Sequence, residues 1–585
     1  MSKACKKLVN TVERCVDENL EGLVAVNPGL RLLEGHRVVV RADIEDAVNS
    51  GKVSLICGGG SGHEPAHAGF VGQGMLSGSV AGAVFTSPPP HSILACLRAV
   101  TKKNAGGTVV IIKNYTGDRI NFGLAVERAK SEGYKVDMVV VGEDCALTSS
   151  DKTAGRRGLC GTILIEKICG ALAQEGRPLE EIVRIAKDAT TKMGTIGLSL
   201  SPCTIPGAGA TFTLGADEME LGLGIHGEAG IKRTKLVNAN EAVKMMIDHM
   251  TASTNNSRLD LKSGDNVACM INNLGGTSVL ELNIIAREAV LLLESRGINV
   301  ERVYCGSYTT SLEMAGVSIT LLHLDDTLRN CLDAETNAPG WTRPYLPKGQ
   351  RTRITPSKIK EEECTDSIKS KEDITDTVNE ELSHKIKAIV KTAAERLIAS
   401  EEKLNGLDKE SGDGDCGSTM ARGAQEILSS IDTLPVGNPA ELANRLGSIA
   451  EESMGGSSGG LYSLFFTAVA GELQKDISPT GWSRALSAGV AAIRKYGGAD
   501  PGDRTMLDAL VPASEELSSN LTQKSPVDAL KGAVQKSIEG ADSTSTMKAR
   551  AGRSSYVSPD RLTNADPGAV AVTIWLSAVV DILTS

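Results

Sequence analysis

The chain has 585 residues, of which 41% are hydrophobic and only 3% aromatic, and its formal net charge is −10. This length exceeds what one hydrophobic core usually supports, so roughly two to four domains are expected. The acidic balance argues against nucleic acid as a partner, because a phosphate backbone attracts a basic protein face.

The 13 cysteines include no CxxC pair, and several lie within apolar stretches, which indicates free thiols in a reducing compartment. The N-terminus has no apolar segment typical of a signal peptide. We also find no apolar run that approaches the ~20 residues of a membrane helix. The sequence therefore predicts a cytosolic protein that does not bind a membrane.

Residues 30–340 alternate short β-branched runs with amphipathic stretches. This alternation favours a largely parallel sheet covered by helices. The stretch 192–226 is rich in Gly, Ser, Thr and Pro, and we interpret it as the passage into a second α/β subdomain. The predicted subdomains are about 1–195 and 196–347. The predicted strands are 53–57, 80–84, 108–113, 135–141, 266–272 and 317–324, and the predicted helices are 91–104, 119–132, 161–174, 179–191 and 277–296.

Residues 348–380 are charged and polar, which predicts a solvated linker, with a regulatory docking segment as the alternative. From 381 to 585 the strand patterns disappear, and long segments are apolar at helical spacing. The sequence therefore predicts an all-α helical barrel or bundle behind the α/β half. Its predicted helices are 382–403, 417–431, 438–453, 459–474, 481–494, 504–519, 525–540 and 567–583.

Three short phrases in the α/β half combine glycines with polar side chains. GGGSGHEP at 58–65 and KNYTGD at 113–118 each follow a predicted strand, and GIHGE at 224–228 follows an apolar run. Ligands of open parallel sheets bind beyond the carboxyl ends of strands, so Gly60, Ser61, Lys113 and Asp118 are expected to face one cleft. His226 ends the run 219–225, which we predict to be a strand. A hydrogen-bonded core histidine is the alternative for His226.

Three aspartates, Asp408, Asp413 and Asp415, flank a glycine turn in the helical half. A solvated acidic surface is the alternative, but the residues after the turn can begin a helix whose free N–H groups bind phosphate. Carboxylates together with phosphate oxygens suit Mg²⁺. Further glycine phrases lie at 454–462, 502–508 and 566–569, and the P-loop phrase GxxxxGK[ST] is absent from the sequence.

Together these phrases resemble the dihydroxyacetone kinase family, in order and spacing, over both halves of the chain. The resemblance implies that His226 adds to the substrate carbonyl as a covalent hemiaminal, and that Asp118 and His63 act as acid and base. It implies that Asp408, Asp413 and Asp415 hold two Mg²⁺ ions that bridge the phosphates of ATP. The implied substrate-binding residues are Gly60, Ser61, Gly62, His63, Lys113 and Asp118, and the implied nucleotide-binding residues are Cys416, Gly417, Ser418, Thr419, Ser457, Ser458, Thr505, Met506, Asp566, Pro567 and Gly568.

The fused halves and the phrase at 554–560, which departs from the bacterial pattern, resemble the bifunctional animal branch of this family. That resemblance implies ATP-dependent phosphorylation of dihydroxyacetone and glyceraldehyde, together with splitting of FAD to AMP and riboflavin cyclic 4′,5′-phosphate. It implies Mg²⁺ for the ATP reaction, Mn²⁺ or a similar divalent metal for the FAD reaction, and a homodimer. A non-catalytic regulatory or ligand-sensing protein on the same fold is the alternative.

Overall fold

The computed structural model describes residues 6–102, 106–146, 155–342, 377–557 and 562–585, with the single residues 346, 350 and 353. The chain divides into two compact units, residues 1–358 and 359–585. The first unit contains both strands and helices, and the second is helical over its described residues. The predicted fold class is therefore confirmed. Most of the predicted linker lies outside the described residues.

The first sheet has the strand order β1-β2-β4-β3-β5-β6. The strands β4, β3, β5 and β6 pair in parallel, whereas β1 and β2 join the edge in antiparallel orientation. The strands are β1 (Leu30–Leu32), β2 (Val38–Arg41), β3 (Ser54–Ser61), β4 (Gly78–Val84), β5 (Thr108–Lys113) and β6 (Val136–Val141), and the accompanying helices are α1 (Cys15–Val26), α2 (Ile44–Asn49), α3 (Pro90–Val100), α4 (Thr116–Ser131), α5 (Gly161–Gln174) and α6 (Leu179–Thr191).

Both faces of the first sheet are buried, which explains its continuous apolar strands. Along β5, Val109 and Ile111 pack on the side of α5 and α6, whereas Val110 and Ile112 pack on the side of α3 and α4. Every residue of α5 from Gly161 to Ala173 is buried. A helix that is enclosed on all sides must be apolar around its whole circumference, and α5 is so except for a few polar side chains.

The second sheet has the order β11-β10-β7-β14-β12-β13. Among its pairs only β12–β13 is parallel, so the prediction of a largely parallel sheet is wrong for this subdomain. Local periodicity locates strands, but strand direction depends on the path of the connections. The further elements are β7 (Met193–Ser199), β8 (Thr204–Ile205), β9 (Gly209–Ala210), β10 (Glu218–Leu221), β11 (Lys232–Lys235), α7 (Ala239–Thr251), β12 (Asn266–Asn273), α8 (Val279–Ser295), β13 (Asn299–Gly306), β14 (Gly316–His323) and α9 (Asp326–Asp333).

The helical unit is a closed ring in which α10 and α12 to α18 are successive neighbours and α18 returns to α10. The predicted helix 382–403 is two helices, because the chain breaks at Ser400. Apolar side chains from the ring line a cavity of about 580 Å³. The helices are α10 (Glu380–Ala399), α11 (Glu401–Ser411), α12 (Cys416–Ser429), α13 (Pro439–Ile449), α14 (Gly456–Leu473), α15 (Pro479–Gly497), α16 (Leu507–Asn520), α17 (Pro526–Ser543) and α18 (Pro567–Thr584).

The last helix, α18, is as apolar as a membrane-spanning helix. It has 18 residues with a mean hydropathy of 1.7, and among the described residues it is the one helix that could cross a membrane by length and composition. The sequence prediction overlooked it. Trp575, Leu576 and Leu583 line the cavity of the ring, so packing within the ring accounts for the apolar composition of α18.

The tight packing of α5 predicts the effect of adding one methyl group. A Cβ on Gly170 would overlap the backbone of Gly74 and Met75, whereas a Cβ on Gly123 in α4 would meet nothing within 4 Å. Gly170→Ala should therefore lower the stability of the first unit by about 1–3 kcal/mol. Gly123→Ala should raise it by up to about 1 kcal/mol, because alanine favours helix. Thermal unfolding of both variants tests the packing, and equal effects would contradict it.

Candidate active site

The polar loops of the two sheets are joined by one short segment, Thr309 to Leu312. The N–H of Thr310 donates to the carbonyl of His63 at 3.1 Å, and the N–H of Leu312 donates to the carbonyl of Gly62 at 2.8 Å. The hydroxyl of Ser311 donates to the carbonyl of Ile225 at 2.6 Å. The 309–312 segment thus holds the loop after β3 against the loop that carries His226.

The glycines at the carboxyl end of β3 are required for different structural reasons. Gly62 has φ +98°, and a Cβ there would lie 2.8 Å from the ring of Phe85. A Cβ on Gly59 would lie 3.2 Å from Lys113 Nζ and 3.8 Å from Asp118 Oδ2, so the bare face of Gly59 borders both polar groups. The hydroxyl of Ser61 donates to the carbonyl of Gly82 at 2.8 Å, so this side chain is engaged within the sheet.

A Cβ on Gly60 would lie 2.6 Å from the backbone nitrogen of Thr86. Any larger residue at position 60 would therefore separate the carboxyl ends of β3 and β4. Close approach of the two backbones, not a positive φ, is the local reason for glycine at this position.

His226 lies in the loop after β10, which ends at Leu221, so the prediction that this histidine ends a strand is wrong. Its Nδ1 is 2.8 Å from Glu228 Oε1, and its backbone N–H donates to Glu228 Oε2 at 3.0 Å. Burial would raise the pKa of Glu228, but these hydrogen bonds from His226 lower it to about 2. An ionised carboxylate only accepts, so Nδ1 carries a proton, and in the neutral form of the ring the lone pair is then on Nε2.

Three aromatic rings surround the imidazole of His226. The ring centroids of His63, Phe85 and Tyr115 lie 5.0, 5.2 and 4.8 Å from it, each in an edge-on arrangement. The side chain of His226 keeps 21% of its exposure. These contacts restrict the ring to one orientation while leaving part of it accessible to a small molecule.

His63 and Asp118 are both buried beside this ring. His63 Nδ1 donates to the carbonyl of Thr310 at 2.8 Å, and its Nε2 has no hydrogen-bond partner within the described part of the chain. Burial, together with His226 and Lys113, keeps the pKa of His63 well below its usual value, so the ring is neutral. Burial raises the pKa of Asp118, although Lys113 and Ser87 oppose that rise. The predicted residues His63, Lys113, Asp118 and His226 thus form one polar cluster.

The sequence analysis missed several contributors to this cluster. Tyr115 and Glu228 stand inside the quoted phrases and could have been found there. Phe85, which has φ +55°, and Thr310 stand in no motif, because the contact of Phe85 with His226 and that of Thr310 with His63 arise only when the two sheets meet.

The three aspartates of the helical unit also converge. Carboxylate oxygens of Asp408, Asp413 and Asp415 lie within 4.8 Å of one another. Asp408 Oδ2 accepts from the backbone N–H groups of Gly414, Asp415 and Cys416 at 3.0, 3.0 and 3.2 Å, which fixes the turn. Asp413 and Asp415 are exposed. An all-carboxylate set with accessible oxygens fits Mg²⁺, which keeps room for waters and phosphates.

The predicted nucleotide-binding residues lie at the beginnings of four helices. Cys416 to Thr419 form the first turn of α12, Ser457 and Ser458 that of α14, and Pro567 and Gly568 that of α18, whereas Thr505 and Met506 precede α16. Such turns present backbone N–H groups that bind phosphate.

The beginnings of α12, α16 and α18 lie close together. A Cβ on Gly568 would lie 3.6 Å from Met506 Cβ. Burial raises the pKa of Cys416 to about 12, and the charges of Asp408 and Asp566 contribute. The hydroxyl of Ser418 donates to Glu401 at 2.7 Å, so Ser418 can serve a ligand chiefly through its backbone. Residues 558–561 lie outside the described part of the chain.

Comparisons with known proteins agree with this arrangement. Residues 21–340 match the Dak1 domain and residues 410–581 match the DAK2 domain. The chain is 48% identical to triokinase/FMN cyclase of Homo sapiens over 99% of this chain and 100% of that protein. It is 44% identical to a putative 3,4-dihydroxy-2-butanone kinase of Solanum lycopersicum over 98% of this chain and 97% of that protein.

A solved structure covers both units. The dihydroxyacetone kinase of C. freundii in complex with AMP-PNP and Mg²⁺ has a TM-score of 0.70 and 35% identity, over 99% of this chain and 100% of that one. Both domains of the family are thus present in their family order. The chain belongs to the dihydroxyacetone kinase family.

Proposed function

We propose that this protein phosphorylates dihydroxyacetone and glyceraldehyde with ATP, and that it also splits FAD to AMP and riboflavin cyclic 4′,5′-phosphate. One observation carries the proposal: the His226–Glu228 pair and the Asp408–Asp413–Asp415 cluster are both intact in one chain. The names of the relatives support both activities. They give no support to the alternative of a non-catalytic regulatory protein.

The acceptor chemistry follows from the state of His226. A triose offers few atoms, so hydrogen bonds alone give limited affinity and selectivity. Nε2 of His226 attacks the substrate carbonyl carbon as the C=O π bond breaks, and the oxygen takes up a proton from solvent. The negative charge of Glu228 balances the imidazolium that results, and the product is a reversible hemiaminal. Polyols such as glycerol lack the carbonyl and are excluded. Asp118 then accepts the proton of the hydroxyl that attacks the γ-phosphorus, and His63 lies beside it as the second acid–base group.

The nucleotide chemistry rests on the aspartate cluster. Mg²⁺ held by Asp408, Asp413 and Asp415 would neutralise charge on the transferring phosphoryl group. FAD presents a diphosphate as ATP does, and its ribityl hydroxyl attacks the adjacent phosphorus without an outside acceptor. We therefore propose that both reactions use this cluster, with Mn²⁺ or a similar ion in the FAD reaction.

The amino-acid sequence and the resemblance to the family, rather than any contact, support the remaining proposals. These are a homodimer, a cytosolic location, and no nucleic-acid or membrane partner. They also include the domain boundaries 1–347 and 381–585, with a linker at 348–380 and subdomains at about 1–195 and 196–347.

His226→Ala removes the nucleophile of the acceptor site. We expect kcat/KM for dihydroxyacetone phosphorylation to fall by about a thousandfold, because the substrate is no longer held covalently. FAD cleavage should be unchanged, since it needs no carbonyl trap. His323→Ala, which changes a histidine at the end of β14, is the matched control. Near-normal kinase activity in His226→Ala would return this histidine to a structural role.

Asp415→Asn removes one charged oxygen ligand from the proposed metal cluster. The rates of both reactions should fall by about a hundredfold or more, because both need the metal-bound diphosphate. ATP should also compete with FAD in the unaltered protein. Asp542→Asn, on the exposed side of α17, is the control. If Asp415→Asn abolished only one reaction, the shared site would be refuted.

Glu228→Gln keeps the shape of the group that orients His226 but removes its charge. A hydrogen bond to a charged group contributes about 1.5–3 kcal/mol, so kcat/KM for the triose should fall by about ten- to a hundredfold. Stopped assays of both reactions measure the effect, and FAD cleavage should stay normal. Unchanged kinase activity in Glu228→Gln would show that His226 Nδ1 needs no anionic partner.

A further inference from the structure

A chain of buried polar side chains runs behind the acceptor cleft. Lys113 Nζ lies 2.7 Å from His67 Nε2, and His67 Nδ1 lies 2.5 Å from Glu166 Oε1. Cys57 Sγ lies 3.3 Å from the same Nδ1. All four residues are at most 5% exposed. The chain thus connects the enclosed helix α5 to the end of β5, at the floor of the site.

The amine of Lys113 indicates the direction of the two hydrogen bonds that link Lys113, His67 and Glu166. A lysine nitrogen only donates when it carries its charge, so His67 Nε2 accepts. His67 Nδ1 therefore bears the ring proton and donates to Glu166. Burial, with the charge of Lys113, holds the pKa of His67 well below its usual value, which keeps the ring neutral as this pattern requires.

A purely structural role does not explain these residue types. Buried ionisable groups are costly, and apolar residues of similar volume stabilise a fold as well or better. Burial raises the pKa of Glu166 to about 8, although Cys57 and Lys113 oppose the rise. Its second oxygen, Oε2, has no hydrogen-bond partner among the residues that the structure describes. The largely apolar helix α5 therefore carries a costly buried carboxyl group at a position that reaches His67.

The Lys113 end of this series of hydrogen-bonded side chains indicates its function. Lys113 Nζ borders the bare face of Gly59 together with Asp118 Oδ2. We propose that Glu166 and His67 are positioning residues, which hold the amine of Lys113 so that its remaining N–H groups bind an oxygen of the ketose. This inference rests on the proposed role of Lys113 in substrate binding.

The same side chains could in principle bind a metal, since Cys57, His67 and Glu166 form a compact group of ligand types. Two ligands of one tetrahedral Zn²⁺ at bond lengths near 2.1 Å lie about 3.4 Å apart. The 2.5 Å between His67 Nδ1 and Glu166 Oε1 is a hydrogen-bond distance instead. Stoichiometric zinc in the purified full chain, lost in Cys57→Ser, would overturn the proposal.

The central test is a double-mutant cycle on the full chain, with Glu166→Gln, Lys113→Met and the combined variant. Glutamine keeps the shape but replaces the carboxyl group that accepts from His67 Nδ1 with a weaker amide acceptor, so His67 is held less firmly against Lys113. We expect Glu166→Gln to raise KM for dihydroxyacetone by about tenfold, with kcat changed by less than about threefold. FAD cleavage should be unchanged. The double variant should be no worse than Lys113→Met, because Glu166 acts through Lys113.

The matched control is Thr162→Val, one turn earlier on α5. Thr162 is equally buried, and its hydroxyl has no partner, so the substitution should leave KM unaltered. If the Glu166→Gln protein does not fold, the His67→Asn variant takes its place in the cycle. This substitution keeps an amide near Glu166 and removes the Nε2 acceptor of Lys113.

The outcomes separate the inference from the proposed function. A normal KM in Lys113→Met would refute the role of Lys113 itself. A raised KM in Lys113→Met with a normal KM in Glu166→Gln would refute only the positioning role of Glu166 and His67. Additive effects in the double variant would refute the same role.

Discussion

The acceptor site depends on the backbone hydrogen bonds of the 309–312 segment. These bonds join a loop of the parallel sheet to a loop of the mixed sheet, and neither loop alone contains a complete site. His63 belongs to the first loop and His226 to the second, yet their rings lie 5.0 Å apart. Leu312 has φ +52° within this segment, and such strained backbone is typical of functional sites that the surrounding structure holds in place.

The two units provide different kinds of chemistry by different means. In the α/β unit, the polar groups are largely enclosed: burial keeps the imidazole of His63 neutral, and the carboxylate of Glu228 orients that of His226. In the helical unit, the aspartates remain accessible and Asp408 fixes the turn by accepting three backbone N–H groups. This difference fits a site that holds a small uncharged ketose and a site that exchanges metal-bound nucleotide.

The sequence predicted the parallel half of the first sheet because β5 and the first half of β3 are apolar runs, and it located Lys113 and Asp118 at the carboxyl end of β5. The acidic turn was also predictable, since its aspartates are close in sequence. The antiparallel order of the second sheet was not predictable, because periodicity does not encode strand direction. Thr310 and Glu166 were missed for a related reason: their partners, His63 and His67, are 247 and 99 residues away along the chain.

The central claim is that His226 holds the acceptor covalently. The most direct measurement is NMR of dihydroxyacetone labelled with ¹³C at its carbonyl carbon, bound to the full chain labelled with [¹⁵N]histidine. If His226 holds the substrate covalently, the bound carbon should be tetrahedral and should show a one-bond ¹³C–¹⁵N coupling. The coupling should be absent in the His226→Ala variant. Bound dihydroxyacetone that shows only carbonyl or hydrate carbon, with no coupling to nitrogen, would contradict the account.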